Sequence, residues 1–247
     1  MKEKSIANFN GQEGNDLSPN STIKDTKVHK FEKIESESRL LLSSTRFCSV
    51  DDLVRGLSNT FDLKFIKRYG FLDIYYKDAK NHANRETLRL RVWIDYDTGS
   101  GKQVQPVQVI RSNYINEKFN GIAFKGGSKT SNVSYATLKE AQESLEKEGF
   151  EEELRILKTN GVHYSISDGE VERKIACETV TVSMSGSNVK WSSTMLEIEV
   201  LSDDRSKVAR GVEEVLEAIG SKKDDLIGES MREIALKQLE NVGIFRR

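Results

Sequence analysis

Alternation of apolar and charged residues recurs in segment after segment of this chain, and side chains that alternate in this way occupy opposite faces of a β-strand. In residues 87–95, Leu88, Leu90, Val92 and Ile94 form one face, while Arg89, Arg91, Trp93 and Asp95 form the other. Leu72, Ile74 and Tyr76 oppose Asp73, Tyr75 and Lys77 in the same manner. Val171, Ile175 and Cys177 oppose Glu172, Lys174 and Glu178; Leu196, Ile198 and Val200 oppose Glu197 and Glu199; Ile122 and Phe124 oppose Ala123 and Lys125. The pattern predicts strands over 28–42, 63–77, 87–96, 104–114, 118–126, 154–159, 162–167, 170–183 and 189–200, with turn signals at Gly161, Asp168-Gly169 and Gly186. Helical spacing and capping residues predict helices over 50–59, from Thr137 to a stop at Gly149, over 205–219 to a stop at Gly220, and over 224–240. Strands predominate without a βαβ rhythm, so the expected fold is an antiparallel, barrel-like α+β domain.

A chain of 247 residues can bury such a core as one domain. Residues 1–26 have few large apolar side chains to offset the entropy of ordering them and read as a flexible tail, leaving 27–247 as the domain. With 38 basic and 39 acidic residues, no net field marks a general nucleic-acid or membrane-surface binder, so selectivity for a polyanion must come from local arrangement. Cys48 and Cys177 sit in contexts that read as buried, reduced thiols. The N-terminal region has no apolar signal core and no run of about 20 apolar residues follows, so a cytoplasmic protein is expected.

The charged faces are ordered along the chain. Acidic pairs occupy the first and last strands, Glu35 and Glu37 with Arg39 in one, Glu197 and Glu199 in the other, and Arg/Lys residues occupy strands between them. If the sheet closes, these faces line a lumen, which is costly unless something charged fills it. Carboxylates without His or Cys suit a hard cation such as Mg²⁺ or Mn²⁺, and Arg and Lys suit phosphate oxygens. His29, His82 and His163 lack ligand spacing and read as surface or turn residues, Trp93 and Trp191 read as packing residues, and residues 126–130 lack the spacer of a phosphate loop.

These residues resemble the CYTH, or triphosphate tunnel metalloenzyme, family. Glu35-Ser36-Glu37-Ser38-Arg39 is similar to its ExExK strand, Asp73-Ile74-Tyr75-Tyr76 to its DxYY strand, and Leu88-Arg89-Leu90-Arg91 to its LRxR strand. Phe124-Lys125-Gly126, Leu154-Arg155-Ile156-Leu157-Lys158-Thr159, residues 168–178 and Glu197-Ile198-Glu199 follow in the family's order, and the resemblance spans about 30–240. It implies an eight-stranded antiparallel tunnel with flanking and C-terminal helices, binding two divalent cations and a linear triphosphate. The metal residues it implies are Glu35, Glu37, Glu178, Glu197 and Glu199. The implied phosphate residues are Arg89, Arg91, Lys125, Lys158 and Lys174, with Arg173 competing for the last place, and Glu35, Glu37 and Arg39 form the implied catalytic set. Arg39 stands where the family commonly has Lys, and Asn160 where many members carry Arg. The expected function is hydrolysis of inorganic or small organic triphosphates with Mg²⁺ or Mn²⁺. The alternatives are ATP cyclisation, an RNA 5′-triphosphatase, or polyphosphate or nucleotide binding without turnover; a homodimer is left open.

Overall fold

The computed structural model of the chain describes residues 34–79, 87–95, 102–167, 171–188 and 190–242, with backbone alone at 113–116, 125–132 and 167. The expected tail over 1–26, His29 and His82 lie outside the described residues. Among the described residues eight strands run as β1 (Ile34–Leu41), β2 (Leu63–Asp78), β3 (Thr87–Trp93), β4 (Val107–Phe119), β5 (Ile122–Tyr135), β6 (Phe150–Ser167), β7 (Glu172–Met184) and β8 (Lys190–Ser202). They pair antiparallel in the order β1-β5-β4-β3-β2-β6-β7-β8, and β8 returns to β1 to close the barrel. The β1–β8 ladder runs from Ile34↔Ser202 to Leu41↔Met195. The other seam is short: Ser36 pairs with Phe124, and the Ser36 hydroxyl donates to the Ala123 carbonyl at 2.8 Å. Beyond it, the N–H of Ile227 donates to the Arg39 carbonyl at 2.7 Å and extends the pairing of β1.

The apolar strand faces turn outward and are covered by helices. Leu53 and Leu57 of α1 (Val50–Ser58) and Val208, Val212 and Leu216 of α3 (Arg205–Ile219) pack with Leu40, Phe124, Ile175, Leu196 and Ile198. Ala141 and Leu145 of α2 (Leu138–Glu148) pack with Ile74, Leu88, Leu90, Val92 and Val109. The ends of α2 follow the predicted chemistry: Thr137 and Glu140 cap each other reciprocally, and Gly149 ends the helix in the left-handed region at φ 90°. Ser36 and Ser38 are buried on the outer face of β1, where α3 packs.

The helix α4 (Met231–Asn241) sits differently. Its Met231, Ile234, Ala235 and Leu239 pack with Tyr75, Leu154, Ile156, Val180 and Met195. Through the registers Tyr75↔Leu154, Asp73↔Ile156, Lys158↔Val180 and Glu178↔Met195, these strand residues share the face of Asp73, Lys158 and Glu178. One end of the lumen is therefore apolar and covered by α4, rather than charged throughout.

Four expectations need correction. Segments 154–159 and 162–167 belong to one strand, β6, in which Asn160 at φ 54° and Gly161 form a bulge between Thr159 and Val162 rather than a turn. Strand 118–126 is broken instead by the Asn120-Gly121 turn, with φ 51° and 82°, between β4 and β5. The last helix begins at Met231 rather than Asp224, because Ser230 and Glu233 form a capping box there. Cys48 is exposed, whereas Cys177 is buried as expected and its thiol is pushed up to about 12 by desolvation. Among the described residues no helix is long and apolar enough to cross a membrane.

The bulge at Gly161 also carries a packing constraint. A Cβ there would lie 2.7 Å from both the ring and the carbonyl oxygen of Tyr69. Gly161→Ala is expected to cost about 1–3 kcal/mol, read as a lower midpoint in guanidinium unfolding; an unchanged midpoint contradicts this packing.

Candidate active site

Closure of β8 on β1 brings the two acidic strands into one constellation. Arg39 lies directly opposite Glu197, and Glu37 directly opposite Glu199. Facing carboxylates repel, and cations sit among them. Arg39 donates through Nε to Glu197 at 3.0 Å and forms an ion pair with Glu37 as well. Lys174 donates to Glu199 at 2.7 Å. Burial would raise the Glu197 carboxyl, but Arg39, Lys158 and Arg91 outweigh it and hold it below the usual range. Glu35 shows the opposite balance: burial raises its carboxyl, and Lys174 and Arg39 offset this only in part.

The second constellation comes from β2 and β3, where Asp73 lies opposite Arg91 and Tyr75 opposite Arg89. Arg91 grips Asp73 with two parallel hydrogen bonds of 2.7 Å, and Arg89 Nη1 lies 3.3 Å from the same carboxylate. Asp73 is 2 % exposed, so burial would raise its carboxyl, yet Arg89 and Arg91 hold it below its ordinary value. From β6 and β7, Lys158 forms an ion pair with Glu178, whose other oxygen accepts from the Tyr69 hydroxyl at 2.7 Å. Burial and Glu178 raise the Tyr69 phenol, so it remains a donor.

Aromatic rings form the wall between these groups. The Arg91 guanidinium lies 4.0 Å from the Phe71 ring centre, Lys158 Nζ lies 5.2 Å from the same ring, and Lys67 Nζ lies 5.2 Å from the Trp93 ring. A ring face attracts a cation without cancelling its charge, so these cations retain attraction for an anion. Together the elements enclose a cavity of about 770 Å³, within the range of small-molecule sites.

The structure places Glu37, Arg39, Arg89, Arg91, Lys158, Glu178 and Glu197 on this cavity. Glu35, Lys174 and Glu199 form a neighbouring group on the same strand faces, with Lys174 in contact with Glu199 and Glu35 sensing Lys174 and Glu197. Arg173, the competitor of Lys174, points the other way: its Nε donates to the Gly211 carbonyl of α3 at 3.3 Å and its guanidinium pairs with Glu214. Lys125 occupies β5 opposite Asn116, and its side chain lies outside the described set.

Sequence reasoning missed several cavity residues. Asp73 and Tyr69 pair with the cationic and acidic groups described above, and Asp73 was legible as a charged residue on the inward face of β2. Trp93, read as a packing residue, lines the cavity, as does His163, read as a surface or turn residue. His163 is half-buried, and desolvation lowers its pKa.

Among the described residues, no group of three or more His, Cys, Asp or Glu is gathered to hold a metal ion. Mg²⁺ commonly binds through one or two carboxylates together with substrate phosphates. Glu37 and Glu197, two carboxylates flanking one cavity, fit that kind of donor set.

Because the Asp73 carboxyl is depressed in the folded state, its contribution to stability is present above the unfolded pKa of about 4 and is lost as pH falls through the folded value. Asp73→Asn should lower stability near pH 7 by on the order of 3 kcal/mol, by leaving two arginines without their buried counter-charge. Its stability should also fall less steeply in acid than that of the wild type. Parallel pH–stability curves from urea unfolding would contradict this role.

No family model and no curated protein matches the chain. Solved structures do. A conserved hypothetical protein from Pyrococcus furiosus aligns with a TM-score of 0.50 at 18 % identity, covering 81 % of this chain and 98 % of that one. The PH1012 protein of Pyrococcus horikoshii aligns with a TM-score of 0.52 at 16 % identity, with the same coverages of 81 % and 98 %. A Hippeastrum protein described as having a dominant triphosphatase activity aligns at 0.49 and 14 % identity, covering 83 % of this chain and 96 % of that one. At these identities the likeness is one of fold alone: this chain, a closed antiparallel barrel, shares its fold with the two Pyrococcus proteins.

Proposed function

We propose that the lumen binds a linear triphosphate and hydrolyses it with the help of Mg²⁺ or Mn²⁺. The observation that carries this reading is the convergence of Arg39, Arg89, Arg91 and Lys158 on one cavity that also holds Glu37, Glu178 and Glu197. Cations alone would make a polyanion sink; cations facing carboxylates make a site for a polyanion and a hard cation together.

Each residue has a role that follows from its contacts. Asp73 aligns the Arg91 fork, so the guanidinium is presented with its orientation already fixed, which lowers the ordering cost of binding. Lys158, held by the Glu178 and Tyr69 pair, supplies a compact charge against a neighbouring phosphoryl group. The Glu37 and Glu197 carboxylates can orient a water for in-line attack on the terminal phosphorus. Glu37 and Glu197 would hold a divalent cation, and the chemistry it would supply there is positive charge against the negative charge that develops on the phosphoryl group.

A second reading is ATP cyclisation. It is favoured by Trp93, a partly exposed ring on the cavity wall against which a planar base can rest. The products separate the two: phosphate reports hydrolysis, and pyrophosphate with cyclic AMP reports cyclisation.

The test is purified protein with tripolyphosphate, ATP, thiamine triphosphate or triphosphate-ended RNA, each with Mg²⁺ or Mn²⁺. Phosphate release is expected from at least one of them, and Arg91→Ala should lower kcat/KM on the order of 100-fold. Absence of both phosphate release and triphosphate binding across the set would overturn the proposal.

A further inference from the structure

One placement distinguishes Arg39 from the other cations of the lumen. Its Nε and Nη2 both lie 3.0 Å from Glu197 Oε2, and Nη2 also pairs with Glu37. The three side chains are largely withdrawn from solvent, at 13 % for Arg39, 8 % for Glu37 and 23 % for Glu197. Arg91 and Lys158 instead pair with carboxylates of other strands, Asp73 and Glu178. Arg39 thus bridges the two carboxylates that fit a hard cation, and it does so with a planar fork that can engage two partners at once.

We infer that Arg39 is a built-in counter-ion standing in the place of a divalent cation between Glu37 and Glu197, so that cation and polyphosphate binding are coupled through its displacement. This rests on the proposed function, because the displacing ligand is the polyphosphate.

The physical argument is one of exclusion and exchange. A hard cation needs carboxylate oxygens at roughly 2.0–2.1 Å, and oxygens already holding a guanidinium are not free to converge on it. Phosphate oxygens offer a guanidinium an equivalent bidentate partner. A polyphosphate entering the cavity draws Arg39 off its carboxylates, and Glu37 and Glu197 then become ligands. Linkage makes the effect reciprocal: a cation that occupies the pair frees Arg39 for phosphate.

The test uses Mn²⁺ alone, titrated into the full chain and followed by the electron paramagnetic resonance of the free ion. Arg39→Ala is expected to bind Mn²⁺ on the order of tenfold more tightly than the wild type, within the usual span of site couplings. Arg205→Ala, which removes an exposed cation paired with Glu117 away from the cavity, should bind as the wild type does. Arg39→Lys, which keeps the charge and loses the fork, should fall between the two and serves if Arg39→Ala does not fold. Equal Mn²⁺ affinity in wild type and both Arg39 variants, or an equal gain in Arg205→Ala, overturns the inference. Metal-free calorimetry of the same proteins with tripolyphosphate separates the two claims. If the wild type binds tripolyphosphate and the Arg39 variants gain no Mn²⁺ affinity, only the counter-ion inference falls. If the wild type binds no tripolyphosphate either without metal or in a second titration with Mn²⁺ present, the proposed function and the coupling fall together.

Discussion

A closed antiparallel sheet sends every second side chain of every strand into a space where bulk water cannot dilute its charge. The cost of withdrawing an unpaired ion from water is several kcal/mol, so each charged residue in such a lumen needs a partner on a neighbouring strand. The barrel meets that requirement across its ladders. Arg39 answers Glu197 between β1 and β8, Arg91 answers Asp73 between β3 and β2, and Lys174 answers Glu199 between β7 and β8. Lys158 and Glu178 do the same for β6 and β7. The charges are thereby arranged by the pairing of the strands, and an anion entering the lumen meets donors already held in position.

The same closure divides the lumen. Towards one end the inward positions of β6 and β7 change from Lys158 and Glu178 to Leu154, Ile156, Val180 and Val182, and α4 lays its apolar residues over them. Arg232 fixes that helix to β6 with two hydrogen bonds to Glu153, of 2.6 and 2.7 Å. Beside an apolar stopper the charged chamber has a low-polarity floor, next to which electrostatic contacts are stronger than they would be in water. The ring wall of Phe71 and Trp93 extends this low-polarity lining along the side of the chamber while leaving the cations over it their charge.

What was legible in the sequence was the face on which each side chain falls. Alternation in β3 and β8 assigned Arg89, Arg91, Glu197 and Glu199 to one side without reference to any partner strand, and the structure keeps them there. In β1 the alternating partners are serines, so hydrophobicity carried little information. Their burial beneath α3 comes from the closed sheet, with the Ser36 hydroxyl satisfied by the Ala123 carbonyl. The identity of each ion pair was not legible, because it depends on registers between strands far apart in the chain: Tyr69 and Glu178 meet across 109 residues. His163 was misread because a bulge at Asn160 and Gly161 preserves a single strand where a glycine suggested a turn. The start of α4 was misplaced because the apolar stripe runs back through Leu226 and Ile227, and Ile227 is engaged instead in bridging β1.

If the ion pairs of the lumen hold its arginines and lysines ready for a linear polyphosphate, a crystal of the chain soaked with imidotriphosphate, whose bridging nitrogens resist hydrolysis, should show the ligand among them. Phosphoryl groups are expected inside the barrel, within hydrogen-bonding distance of Arg89, Arg91 and Lys158, with Arg39 turned from Glu197 towards an oxygen of the ligand. Electron density for the ligand on the outer surface alone, with the lumen pairs unchanged, would contradict it.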